Sequence, residues 1–223
     1  MDRKKPIIKI LLTACLFLFV IWFIPSLKTT KAKGFLSYPC KNCSGGVCQI
    51  GGGGTCSEAE VPDMSDIGIS EEVRQTMIGN CDAYKGAAAE VGMPWQVLMA
   101  IHHREGSGNP DQSIKNGFKP LCNSEDSTCP AEICVPGDTL LNDARCAMKI
   151  LGDKAEMARG LGYEGDLTAP SDDFIKWVFY LYNGYTGETP DDRAYVMSRY
   201  PGSSINDSRP GTFTIYAKLV GRF

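Results

Sequence analysis

Glu105 closes a stretch, Met93 to Ser107, that reads as a mostly buried helix ending on a carboxylate. Pro94 suits the first helical position, where its missing N–H costs nothing, and Gly106-Ser107 supplies a left-handed stop. The sequence therefore predicts a helix over about 94–105. Residues three, four and seven positions before the glutamate, His102, Ile101 and Leu98, share its face. A carboxyl group set against such a surface is partly desolvated, which penalises the ionised form and raises the pKa. The outcome is an acid that keeps its proton near neutral pH, the state that general-acid catalysis requires. On spacing alone, pairing of Glu105 with Arg104 or Lys119 at the surface is an equally good reading.

His102 and His103 are the two histidines of the chain, and His102 stands three residues before Glu105. A His-x-x-Glu pair can contribute to a metal site, but no other histidine is present and the two rings leave one turn in different directions, so metal catalysis is disfavoured and no cofactor is expected. His102 is expected to line a cleft or to support Glu105 by hydrogen bonding, and His103 to pack or face solvent. No second carboxylate is singled out: Asp111, Glu125, Asp126 and Glu132 all lie in the segment after the helix.

The elements that would position these groups are helical. Ser70-Glu71-Glu72 is an N-cap with acidic first-turn residues, and Val73, Met77, Cys81, Tyr84 and Ala88 follow at three- or four-residue steps, predicting a helix over about 71–91. Gly92 leads into the Glu105 helix. A third helix is expected over 138–151, with 153–161 continuing it past Gly152. Ser171-Asp172-Asp173 caps a fourth, 174–182, which is apolar on nearly every side and should be central; its end delivers Asn183. Shorter helices are expected over 191–200 and 212–220. Nothing alternates with period two, so the fold class is all-α, with helices around a cleft.

A chain of 223 residues has room for one domain plus an anchor and a linker. Basic residues at Arg3, Lys4 and Lys5 precede an almost unbroken apolar run from Ile10 to Ile24, extended by Ile7 and Ile8, which reads as an export signal with the basic flank inside. Ile7 to Leu27 is long enough to span a membrane. Thr30-Lys31-Ala32 is a tolerable cleavage site, whereas the bulky Trp22-Phe23 favours retention; an uncleaved membrane anchor is preferred, and secretion stays open. Beyond residue 32 the chain carries 17 Lys+Arg against 25 Asp+Glu, an acidic balance that argues against nucleic acid as a partner. The organisation expected is 1–32 flank and anchor, 33–66 Gly/Cys-rich linker, and 67–223 helical domain.

Nine of the ten cysteines follow the apolar run, and in an exported chain they read as disulfides with one left over. Cys122, Cys129, Cys134 and Cys146 form one group inside the helical domain. Cys40, Cys43, Cys48, Cys56 and Cys81 form the other. The second spacing could also bind zinc, but the compartment and flanking glycines favour disulfides.

The string Trp95 to Ser107, which with the proline before it has the form P-W-Q-x-L-x-A-I-H-x-R-E-G-S, resembles the catalytic-glutamate helix of lysozyme-like peptidoglycan-cleaving enzymes, the lytic transglycosylases and related muramidases. Asn116-Gly117-Phe118-Lys119-Pro120-Leu121 looks like the Asn-Gly-x-Pro-Leu strip that follows the glutamate in one branch of that group. Tyr182-Asn183-Gly184 is similar to its Tyr-Asn-x-Gly segment, and Tyr195-Val196-Met197 to the stretch after it. The Gly-Leu-Met-Gln segment common in many transglycosylases is absent. The resemblance implies a lysozyme-like fold with a cleft and Glu105 as general acid and base on the MurNAc–GlcNAc bond of peptidoglycan. His102, Asn116, Tyr182, Asn183 and Tyr195 would line the substrate site, with aromatic faces for pyranose rings and an amide for an N-acetyl group. The other reading of Tyr182 and its neighbours Trp177, Phe179 and Tyr180 is a buried aromatic core. A hydrolase needs a second carboxylate across the bond, whereas a transglycosylase needs one carboxyl, which favours the latter. A wall hydrolase of the same fold and a non-catalytic wall-binding module are the alternatives. Partners expected are glycan strands, the membrane through the N-terminal helix, and secretion or conjugation machinery.

Overall fold

Among the described residues Ser70 opens the first α-helix as the sequence demands: its hydroxyl accepts from the Val73 N–H, satisfying one of the donors that a helix start leaves unpaired. The computed structural model describes residues 55–118, 129, 140–184, 189–198 and 208–222, and the backbone of 43–44 and 47–48. The helices are α1 (Glu71–Gly79), α2 (Cys81–Val91), α3 (Gln96–Gly106), α4 (Leu140–Gly160), α5 (Asp172–Tyr182), α6 (Ala194–Met197) and α7 (Thr212–Leu219). Two 3₁₀ turns, Ser65–Ile67 and Pro190–Asp192, precede α1 and α6. The helical domain is thus all-α. Ahead of it, two-residue strands β1 (Cys43–Ser44) and β2 (Val47–Cys48) pair antiparallel with Cys43 opposite Cys48, inside the stretch expected to be a linker.

α3 is the axis of the core. Val97 through His102 have no exposed surface, and the helix lies against α2, α4 and α7. Its first turn is set by Pro94 and Trp95, whose carbonyls accept from Val97 and Leu98, so the helix proper begins two residues later than the proline predicts. α5 buries Phe174, Ile175, Val178, Phe179, Tyr180 and Leu181 and packs on α4, α6 and α7, the central place its composition calls for.

The single helix expected over 71–91 is two. The chain breaks at Asn80, whose side-chain amide donates to the Gly108 carbonyl at 2.6 Å. A tertiary bond to the loop after α3 overrides local periodicity here. α4 runs through Gly152 without interruption, and the helix expected at 191–200 shrinks to the turn at Pro190–Asp192 and the single turn of α6.

Residues ahead of 67 pack into the helical core. Val61 and Met64 are fully buried in the main core, and Cys56 is bonded to Cys81, with Cα atoms 5.5 Å apart. The buried Arg74 guanidinium donates to the carbonyls of Glu58, Val61 and Pro62 and binds this strap along α1. Composition hid the strap because its few apolar residues are interspersed with polar ones, and its cohesion comes from an arginine and a disulfide. Cys129 is bonded to Cys146, tying the segment before α4 to that helix. The remaining cysteine side chains and the apolar N-terminal run lie outside the described residues. Among the described residues no helix is long and apolar enough to cross a membrane.

Gly152 sits mid-helix with open space where a Cβ would stand. Gly152→Ala should stabilise the domain by about 0.5–1 kcal/mol, read as a higher denaturation midpoint. A lower midpoint would mean that the position is not an unstrained helical one.

Candidate active site

Glu105 is placed by the way α3 stops. Ser107 takes a left-handed conformation (φ 53°), the one such non-glycine among the described residues, and its N–H returns to the His103 carbonyl at 2.8 Å. A left-handed serine costs about 1 kcal/mol, offset by pairing carbonyls that the helix end would otherwise strand. Gly106 stays helical, so the stop falls one residue beyond the first glycine. The helix thus ends with Glu105 half-buried one turn beyond fully buried Ile101 and His102.

The Glu105 carboxylate accepts a hydrogen bond from the Tyr195 hydroxyl, Oη to Oε1, at 2.7 Å. Burial is the largest influence on this carboxyl and lifts its pKa above the ordinary glutamate range. The Tyr195 bond and the charges of Arg104 and Arg209 act in the opposite direction without cancelling it. With Tyr195 donating to Oε1, Oε2 is the oxygen left to carry and transfer a proton. The Tyr195 phenol itself is held well above its usual pKa, first by burial and then by the Glu105 charge, so it remains a donor.

Tyr195 is in turn fixed from three sides. Its carbonyl accepts from the Thr212 hydroxyl at 3.0 Å, at the start of α7. The Arg104 guanidinium lies 5.5 Å over its ring while donating to the carbonyls of Arg209 and Pro210. Gly211 packs so closely on α6 that a Cβ there would stand 2.3 Å from the Val196 carbonyl oxygen. Arg104, the surface partner that spacing suggested for Glu105, is therefore a buried brace for the tyrosine. Lys119 lies outside the described residues.

The loop after α3 is built on polar anchors. Asp143 of α4, fully buried, accepts from the Ser113 hydroxyl at 2.9 Å and from the Ile114 N–H. Gly117 adopts a left-handed φ of 71°, and its Cβ would stand 2.3 Å from the Glu105 carbonyl oxygen, so the loop seats directly on the end of α3 and only glycine fits. Asn116 is exposed, and its side-chain oxygen accepts from the Phe118 N–H at 3.1 Å. Asp143 escaped the sequence reading, although a signal existed: Asp143, Ala147 and Leu151 share one helix face, so an aspartate stands inside an otherwise buried stripe.

His102 belongs to this bracing and not to a cleft wall. It has no exposed surface; its Nε2 faces the carbonyl oxygens of Asn109 and Gln112 at 2.9 and 3.0 Å and must carry the proton, leaving Nδ1 to accept from the Tyr84 hydroxyl at 2.5 Å. Burial holds its pKa down to about 4, so it stays neutral. Both nitrogens are thus engaged away from Glu105, which removes the expected support of the glutamate by His102. His103 is half-buried.

Tyr182 and Asn183 arrive at the end of α5. The Tyr182 hydroxyl is buried without a hydrogen-bond partner, and its pKa is pushed far up, first by burial and then by the charges of Glu105 and Asp143. Asn183 is the half-exposed C-cap of α5, its N–H returning to the Phe179 and Leu181 carbonyls. Glu105, Tyr195 and Tyr182 are therefore brought together, whereas His102 and Asn116 serve the loop. Asp111 is exposed, with its N–H bonded to Asn109, and Glu125, Asp126 and Glu132 lie outside the described residues. Among the described residues no group of three His, Cys, Asp or Glu side chains could hold a metal ion. Compared with protein-family models, with curated proteins and with solved structures, the chain matches none.

Two outcomes check this geometry. Asp143→Ala strands two buried donors and should destabilise by about 1–3 kcal/mol for each, with faster amide exchange at Ile114; unchanged protection of that amide would show that Asp143 does not hold the loop. Because the folded pKa of Glu105 is raised, the native state gives up its proton less readily than the unfolded chain, so stability falls as pH rises through and above the normal glutamate range. Glu105→Gln should therefore exceed the parent in stability near pH 7, with the gap closing towards about pH 4. A gap that is absent, or reversed, at neutral pH would contradict the raised pKa.

Proposed function

We infer that the chain is an exported peptidoglycan lytic transglycosylase that cleaves the MurNAc–GlcNAc bond with Glu105 as its single acid and base. The observation that carries this reading is the Glu105 carboxyl itself: half-buried, raised in pKa by desolvation, and oriented by the Tyr195 hydroxyl at 2.7 Å. The motif likeness around it, Trp95 to Ser107 with Tyr182-Asn183-Gly184, supplies the substrate class.

In the first half-reaction Glu105 gives its proton to the glycosidic oxygen as the bond from that oxygen to the sugar C1 breaks, and the freed GlcNAc leaves as an alcohol. The carboxylate then takes the proton of the MurNAc 6-hydroxyl as O6 bonds to C1, closing a 1,6-anhydro ring and restoring the acid. No water is consumed, and one carboxyl serves both steps. Tyr195, by donating to Oε1 throughout, steadies the ionised intermediate form without extinguishing the acid.

Asp143 bears on the runner-up, a muramidase-type hydrolase. It is the buried carboxylate whose charge, like that of Glu105, reaches Tyr182, yet its oxygens are occupied by Ser113 and Ile114. Such a group is a poor candidate for the water-activating or nucleophilic carboxylate that hydrolysis requires. We assign the enzyme to the cell envelope, tethered by the N-terminal apolar segment or released after its cleavage, where it would remodel the wall or open it for secretion or conjugation machinery.

A wall-containing gel should clear around the parent protein and not around Glu105→Gln, which keeps volume but cannot donate an acidic proton. Digested wall should contain anhydro-muropeptides. Reducing-end products would move the assignment to hydrolysis, and clearing by neither protein would favour a wall-binding module.

A further inference from the structure

Exposing a large apolar side chain is common, but doing so on a loop made rigid by buried bonds is worth an explanation. Among the described residues the well-exposed large apolar side chains include Phe118 at 72%, Leu161 at 59% and Met157 at 46%, and Phe118 is the aromatic one. Leu161 and Met157 sit at the far end of α4, and nothing in the structure indicates what would cover them.

Phe118 differs because of where its backbone is held. Its N–H donates to Asn116 Oδ1 and its carbonyl accepts from the Ser113 N–H, both at 3.1 Å. The Gly117 N–H returns to the Ser113 carbonyl at 2.7 Å, and Ser113 hangs from the buried Asp143. The ring is therefore displayed from a fixed main chain. The residue before it rests on Glu105: a Cβ at Gly117 would lie 3.6 Å from the Glu105 Cα. One further residue of chain puts the Phe118 Cα within about 9 Å of the Glu105 Cα. That main-chain separation is of the order of one or two sugar residues.

We propose that Phe118 is a stacking platform for a pyranose ring of the glycan strand, beside the sugar whose bond Glu105 protonates. The inference rests on the transglycosylase reading for its ligand class and adds a binding residue to it. An aromatic face presents a flat apolar surface, with negative charge density over the ring, to the C–H groups on one side of a β-linked N-acetylhexosamine, and with its main chain already held the residue has only two side-chain torsions to order on binding. Its task is to hold the strand in register while the acid acts.

The test is calorimetric binding of a soluble β-1,4-linked N-acetylglucosamine hexamer to the full chain carrying Glu105→Gln, which cannot turn the ligand over. Adding Phe118→Ala should weaken binding about tenfold, Phe118→Trp should retain it, and Phe118→Leu, apolar but not aromatic, should fail to rescue it. All three should melt within a degree or two of the Glu105→Gln parent, since the ring is exposed. Full affinity in Phe118→Ala or Phe118→Leu would overturn the platform while leaving the catalytic assignment intact. Phe118-dependent binding combined with no wall clearing by the wild-type chain would support the platform and remove the enzyme. No hexamer binding by the Glu105→Gln parent would overturn the platform, with the gel deciding separately on catalysis.

Discussion

The hydrogen bond from Tyr195 to Glu105 is where two opposed electrostatic demands meet. Desolvation at the end of α3 pushes the carboxyl to hold its proton; the phenol and the charges of Arg104 and Arg209 make the ionised form bearable. Under the proposed mechanism, in which one carboxyl serves as acid and then as base, both influences are needed. Stronger burial alone would leave a proton that never transfers, and a closely paired cation would leave none to transfer. The rest of the domain can be understood as the framework that keeps those two side chains at 2.7 Å.

That framework relies on buried polar anchors more than on regular structure. Arg104 holds the segment before α7, Asp143 holds the loop after α3, His102 holds the turn at 109–112, and Arg74 holds the strap before α1. Each satisfies backbone groups in chain segments that no helix pairs internally, which is the requirement for burying irregular chain. The consequence is a site whose neighbouring loops are fixed by side chains of helices already locked in the core. Removal of any anchor leaves stranded donors or acceptors, so these residues should be less replaceable than the apolar positions around them.

The helices and their order were largely legible in the sequence, because capping at Ser70 and Ser171 and the apolar steps along α2, α4 and α5 are local signals. The half-buried setting of Glu105 was legible too, from a buried helix that ends at a glutamate. What local reading missed was set by tertiary bonds. Asn80 splits a periodic helix to reach Gly108; Arg74 draws 55–66 into the core; Asp143 hides in a stripe that looks apolar. His102 shares a face with Glu105, a spacing that suggests it supports the glutamate, yet three partners, Tyr84, Asn109 and Gln112, claim its ring. Helical spacing specifies which residues are neighbours on one element and is silent about what the next element brings.

The most direct test is a titration of the Glu105 side chain by carbon-13 NMR of the labelled carboxyl, in the parent and in Tyr195→Phe. The midpoint should lie above the ordinary glutamate value of 4.5 and should rise further when the tyrosine hydroxyl is removed, because that bond favours the ionised form. A midpoint at or below the ordinary value, or one that falls in Tyr195→Phe, would contradict the account of a buried acid balanced by a phenol.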